Sequence, residues 1–274
     1  YIKMDDAPGY EVVIGRKISD QVVRSMSVYT LHGGQMEQIM SANYTEFVCS
    51  DLDDDHKSDI LVMHPGDGSS GVAVVYSISN GALVRSQEVT MSEPADNIMR
   101  IMSGKLDDGV AAVYVASSVS GSSGIITDIF AIKNGNLTNI SLSSESGTSV
   151  QTLRNYYVYA DDIDGDGILE LPSLITMKQT QDSYDASSQY IICWYAMTSD
   201  GKKVPKRYTY HNYLGGWYVE LDGSIAERFT VTQKGSSYEF SLWDETMTTA
   251  EKLMTVYALT GQRREEQAVA ENRF

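Results

Sequence analysis

The sequence predicts an all-β fold: a β-propeller-like array of about four four-stranded blades, followed by a small α/β C-terminal segment. Three observations carry that expectation. A phrase made of an aromatic, any residue, an aliphatic residue and a turn ending in Gly recurs along the chain. A second phrase, an apolar run, an acidic loop and another apolar run, recurs ahead of it in the same order. The composition, with 18 Tyr against 5 Phe and 5 Pro, suits half-exposed sheets.

The turn phrase appears at Tyr29, Leu31 and Gly34, at Tyr76, Ile78 and Gly81, and at Phe130, Ile132 and Gly135, with a longer version at Tyr195, Met197 and Gly201. Asn-Gly pairs and their relatives tolerate the positive φ of a tight hairpin, so each phrase reads as one strand ending and the next beginning. The spacing, roughly 50 to 65 residues, lies in the range of propeller blades. Both phrases together predict four strands per unit. The second unit has them near 46–50, 59–64, 71–78 and 82–90, and the third near 97–103, 110–117, 125–132 and 136–142. The fourth has them near 155–160, 169–178, 189–197 and 204–210. The first unit shows only 10–17, 24–31 and 35–40. Its opening strand is expected either from a strand after residue 210, closing a ring, or from residues ahead of Tyr1. A β-sandwich with similar hairpins is the competing reading, but a sandwich need not repeat an acidic loop and a Gly turn in one order.

With 37 acidic and 21 basic residues, the net charge of −16 argues against nucleic acid and anionic membranes as partners. No apolar run reaches the roughly 18 residues of a membrane helix, so no direct membrane insertion is expected of this chain. Any export signal or anchor is expected to lie outside it. Cys49 and Cys193 sit in apolar runs and read as buried free thiols.

The acidic loops carry the candidate site. Asp51, Asp53, Asp55 and Asp59 hold positions 1, 3, 5 and 9 of one loop, and Asp162, Asp164, Asp166 and Glu170 hold the same positions of another. Alternate carboxylates converge when the backbone curls around a hard cation, and an all-oxygen set suits Ca²⁺ better than Zn²⁺. Four acids in nine residues would otherwise repel one another. Gly165 and Gly167 permit the curl, whereas Asp54 and His56 stand at those places in the first loop, whose geometry is expected to be less regular. An EF-hand is excluded, because position 12 is Val62 or Ser173 instead of Glu and the flanks are β-type. Copies at Lys3 and Lys105 begin with lysine, lack an acid at position 5 and are expected to be metal-free.

These loops, each closing on an aliphatic strand start, resemble the FG-GAP/VCBS-type repeats of integrin-type propellers and bacterial surface proteins. The resemblance covers about residues 1–210. It implies a structural Ca²⁺ in each complete loop, with the backbone carbonyls of Lys57 and Ile168, at position 7, as further ligands.

After residue 210 the rhythm changes. Strands are expected at 217–221, 228–232, 238–243 and 252–259, and a helix over 261–272. This loosely resembles the start of a PsbP-like α/β domain, making 211–274 a separate small segment. The alternative places 217–243 in a closing blade.

No enzyme signature emerges. His32, His56, His64 and His211 show no metal-ligand spacing, and no nucleophile elbow or phosphate-cradling loop is present. The Gly-rich stretches at 66–71 and 121–124 join strands. The expected function is a non-enzymatic, extracellular or cell-surface Ca²⁺-binding module of bacterial type, holding a protein or glycan ligand. A propeller enzyme acting on polysaccharide, or a structural subunit of a surface assembly, is the alternative.

Overall fold

In the computed structural model, residues 1–17, 24–66, 68, 70–180 and 189–269 are described. The chain is nearly all-β. The described residues form five small sheets, each built from strands consecutive in sequence, as in successive propeller blades. The first holds β1 (Tyr10–Arg16), β2 (Arg24–His32) and β3 (Gln35–Tyr44). The second holds β4 (Glu46–Ser50), β5 (Asp59–Pro65), β6 (Gly71–Ser79) and β7 (Ala82–Thr90). The third holds β8 (Ile98–Lys105), β9 (Ala111–Ser118), β10 (Ile125–Lys133) and β11 (Asn136–Asn139). The fourth holds β12 (Leu171–Thr176), β13 (Tyr190–Met197), β14 (Lys203–Asn212) and β15 (Trp217–Leu221). The fifth holds β16 (Phe229–Lys234), β17 (Ser237–Trp243) and β18 (Ala250–Tyr257). One short helix, α1 (Arg264–Ala268), follows, with none of its residues buried.

Two compact units divide the chain: 1–171 with 196–204, and 172–195 with 205–274. In the first unit the second sheet is buried on both faces. Side chains alternate along a strand, so Ile60 and Val62 of β5 join Met26, Val28, Val74 and Tyr76 in one core. Leu61 and Met63 join Val75, Val113, Val115 and Phe130 in another. The unbroken apolar run 60–63 is therefore the mark of a sheet packed on either side. In the second unit Phe229, Val231 and Phe240 pack with Ile191, Tyr210 and Leu221.

The tight turns are those the sequence predicts. Asn80 and Gly81 take φ of 53° and 76°, and Asn134 and Gly135 take 51° and 74°. Two positive φ values in succession mark the turn that matches strand twist.

Two features differ from expectation. Residues 155–160 form no strand: next to the fourth acidic loop only Asp161 and Glu170 pair, exchanging both backbone hydrogen bonds at 3.0 and 2.9 Å. Hydrogen-bonded pairs alternate in an antiparallel ladder. The next one would need an N–H from residue 172, which is Pro172 and has none. The residue-210 boundary falls inside β14, and β15 pairs with β14 from Asn212↔Trp217 to Tyr208↔Leu221, so 217–221 completes the fourth sheet. The first sheet has three strands, and among the described residues the outer side of β1 carries one bridge, Ile2↔Glu11. Neither Cys49 nor Cys193 forms a disulfide; Cys193 is buried, as expected, and Cys49 is half-buried.

Candidate metal centre

The two acid-complete loops share three internal hydrogen bonds. Each joins an opening segment to a strand that begins at position 9 or just after it, β5 in one case and β12 in the other. Within each, three backbone amides are satisfied by carboxylates at matching positions. The position-6 amide donates to the position-1 carboxylate: His56 N–H to Asp51 Oδ2, and Gly167 N–H to Asp162 Oδ2, both 2.9 Å. The position-7 amide donates to position 5: Lys57 to Asp55 Oδ1 at 2.9 Å, and Ile168 to Asp166 Oδ1 at 2.8 Å. The position-2 amide donates to position 9: Leu52 to Asp59 Oδ2 at 3.0 Å, and Ile163 to Glu170 Oε2 at 3.2 Å.

The backbone agrees as well. Gly165 and Gly167 have φ of 80° and 85°, and Asp54 and His56, at the same positions 4 and 6, have 61° and 66°. The loop at 51–59 is the less regular one at its position-1 carboxylate: Asp162 Oδ1 accepts from the Gly165 and Asp166 amides at 2.7 and 3.0 Å, whereas Asp51 Oδ1 accepts no hydrogen bond and the Asp55 amide donates to Asp53 Oδ1 at 3.3 Å. Two non-glycine residues hold the left-handed conformation there, against a preference of roughly 1–2 kcal/mol per residue.

Asp162, Asp164 and Glu170 bring carboxylate oxygens within 4.8 Å of one another, and so do Asp51, Asp53 and Asp59. Asp51, Asp54 and His56 form a further group by the same measure. Asp55 and Asp166 fall outside these groups, and the Oδ1 of each accepts from an amide already named. Among the described residues no such group includes Asp107 of the third copy. There the strands β8 and β9 close directly, with Leu106 N–H on Val110 O at 2.9 Å.

Burial singles out position 9. Glu170 is fully buried, yet its Oε1 accepts no hydrogen bond; Asp51 Oδ1 is likewise buried without a partner. A buried carboxylate oxygen without a donor is costly. Burial, reinforced by the neighbouring Asp164, Asp166 and Asp162 charges, pushes the Glu170 carboxyl up to about 7. Asp59 is pushed up to about 6, first by burial and then by Asp53, Asp55 and Asp51. Asp53 is raised too, by burial and then by the charge of Asp55. A cation among these oxygens would satisfy the orphaned atoms and reverse the repulsion, so the donor set fits a hard divalent ion. In the loop at 51–59, Lys57 Nζ already sits 3.5 Å from Asp55 Oδ2 and 3.0 Å from Asp6 Oδ2.

No protein-family model matches the chain, and no curated protein matches it either. Solved structures similar to it include a protein from Lactobacillus plantarum, at 10% identity and a TM-score of 0.31, covering 91% of this chain and 67% of that one. Another is a putative 6-phosphogluconolactonase from Bacteroides fragilis, at 12% identity and a TM-score of 0.33, covering 92% and 82%. What stands is the propeller-like array of small sheets; membership of the FG-GAP/VCBS-type repeats does not follow from these matches. The expected role as a non-enzymatic extracellular scaffold does not stand beside these matches, one of which bears the name of an enzyme.

Proposed function

We propose that the chain binds Ca²⁺ in its two acid-complete loops, at 51–59 and 162–170, and that the ions hold those loops closed. The observation that carries this reading is Glu170. Its carboxylate is fully buried, one oxygen lacks any hydrogen-bond donor, and the ligand oxygens of Asp162 and Asp164 lie within 4.8 Å. Oxygen-only ligation in a loop with flexible geometry favours Ca²⁺ over Zn²⁺, and over Mg²⁺, which dehydrates reluctantly. In the proposed site Asp162, Asp164, Asp166 and Glu170 supply carboxylates, and Ile168 supplies its carbonyl. Asp51, Asp53, Asp55, Asp59 and the Lys57 carbonyl do the same in the other loop. The likeness of both loops to FG-GAP/VCBS-type repeats supports the assignment. The loop at 162–170 is the tighter site, because Gly165 and Gly167 take its left-handed turns without the cost a side chain brings, whereas in the other loop Lys57 competes for the Asp55 carboxylate.

Titration calorimetry on chelator-stripped protein tests this. Two Ca²⁺ per chain are expected, and Glu170→Gln should remove one of them. Absence of binding heat, together with a melting temperature that calcium leaves unchanged, would overturn the reading, since an ion held only by the folded state must stabilise it.

A further inference from the structure

The first loop opens on Lys3 where the complete loops carry an acid, yet it closes in the same way. Ile2 and Glu11 exchange both backbone hydrogen bonds, each 2.9 Å, as Asp161 and Glu170 do. The position-2 amide again reaches the position-9 carboxylate, here Met4 N–H to Glu11 Oε2 at 2.9 Å. Glu11 is buried, as Glu170 is. What fills the loop differs. Lys3 Nζ donates to the carbonyls of Ala7 and, at 3.2 Å, of Gly9, which are positions 5 and 7. Position 7 is the carbonyl assigned above to the metal in the complete loops.

We infer that the ammonium of Lys3 takes the place of the metal ion in the first loop, closing it with a cation that is part of the chain. The comparison rests on the calcium reading of the other loops. The backbone explains why this copy would take a lysine and not an ion. Pro8 stands at position 6, where its ring fixes φ near −65°. The left-handed turn that His56 and Gly167 make at that position is closed to it. The reversal moves to Gly9, with φ of 123°, where an added Cβ would lie 2.1 Å from Leu31 O.

The lysine loop also supports its neighbour. Ser58, at position 8 of the second loop, donates its amide to Lys3 O. Leu169, at position 8 of the loop at 162–170, donates in the same way to Lys105 O at 3.0 Å. Each acid-complete loop thus leans on the backbone of a lysine at position 1 of the preceding copy. Lys57 adds a second tie by pairing with Asp6 at 3.0 Å. The arrangement sets a loop that an ion must load against one that stays closed without an ion.

Lys3→Met tests the inference in the full chain, with Lys17→Met, an exposed lysine, as the control for lost charge. In chelator, Lys3→Met should melt roughly 2–4 °C lower than the control, the shift expected of a modest local loss in a chain of this size. The amides of Ile2, Glu11 and Ser58 should exchange at least tenfold faster, while those of Ile60 to Met63 keep their protection. If Lys3→Met melts with the control and those three amides stay protected, the inference is wrong. Failure of the calcium reading would show separately, as wild-type protein melting alike in calcium and in chelator. The Lys3 comparison is made wholly in chelator.

Discussion

Glu170 concentrates the electrostatics of the molecule in one side chain. Its carboxyl, pushed up to about 7 by burial, titrates in the unfolded chain near the ordinary glutamate value. A carboxyl whose folded value is raised favours folding at low pH, where it is protonated in both states, and loses that advantage as pH rises through the folded value. Chelated wild-type protein should therefore lose stability relative to Glu170→Gln between about pH 4.5 and 7. Denaturant unfolding at a series of pH values measures this, and a difference flat across the window would contradict it. With calcium present the slope should reverse, because only the ionised group binds the ion. The carboxylates at positions 1, 3 and 9 of these loops were legible from spacing alone. That Asp55 and Asp166 cap amides was not, because Asp-x-Asp-x-Asp does not reveal which oxygens turn inward. Nor does spacing reveal that Asp54 and His56 accept the left-handed backbone of two glycines. The contacts of Asp51 with the His56 amide and of Asp59 with the Leu52 amide hold them there.

At the scale of the element, strand positions were largely legible because two signals agreed. Apolar runs marked β5, β6, β9, β10 and β13, and Asn-Gly pairs marked where β6 and β10 end. The turns set the register. Ser79↔Ala82 and Lys133↔Asn136 are the first pairs of their hairpins, each with an Asn-Gly pair between them. Gly135→Ala isolates the conformational part of that signal, because an added Cβ would meet no atom within 4 Å. The change should cost about 1–2 kcal/mol, the penalty of a left-handed residue that has a Cβ. Chemical denaturation should show a lower midpoint with an unchanged slope. A midpoint equal to wild type would mean that the β10–β11 turn is not rigid. The absence of a strand at 155–160 was in principle readable, since Pro172 lies where the partner ladder needs a donor. The pairing of β15 with β14 was harder to read. Gly215 and Gly216 signal a turn, but no local feature distinguishes a hairpin within one sheet from a passage to the next.

At the scale of the whole molecule, charge and connectivity point to where an ion would act. The chain carries −16, and two Ca²⁺ ions would reduce this to −12 by adding four positive charges. General self-repulsion is screened by ordinary salt over about 10 Å at 0.1 M. Bound calcium is not interchangeable with salt, because it neutralises carboxylates at contact distance and supplies ligation to buried oxygens. Sodium chloride should therefore raise the stability of the chelated protein modestly, and millimolar calcium should add to that at any salt concentration. The gain should also be local. Both loops lie in the compact unit 1–171 with 196–204, and β16, β17 and β18 lie in the other. An ion bound a hundredfold above its dissociation constant contributes about 2.7 kcal/mol to whatever unfolds with its site. Hydrogen exchange in calcium should therefore slow at β5 (Asp59–Pro65), which begins at a proposed ligand, by far more than at β17 (Ser237–Trp243). Equal slowing in both would mean that the two units open only together, and that the calcium energy is shared by the entire chain.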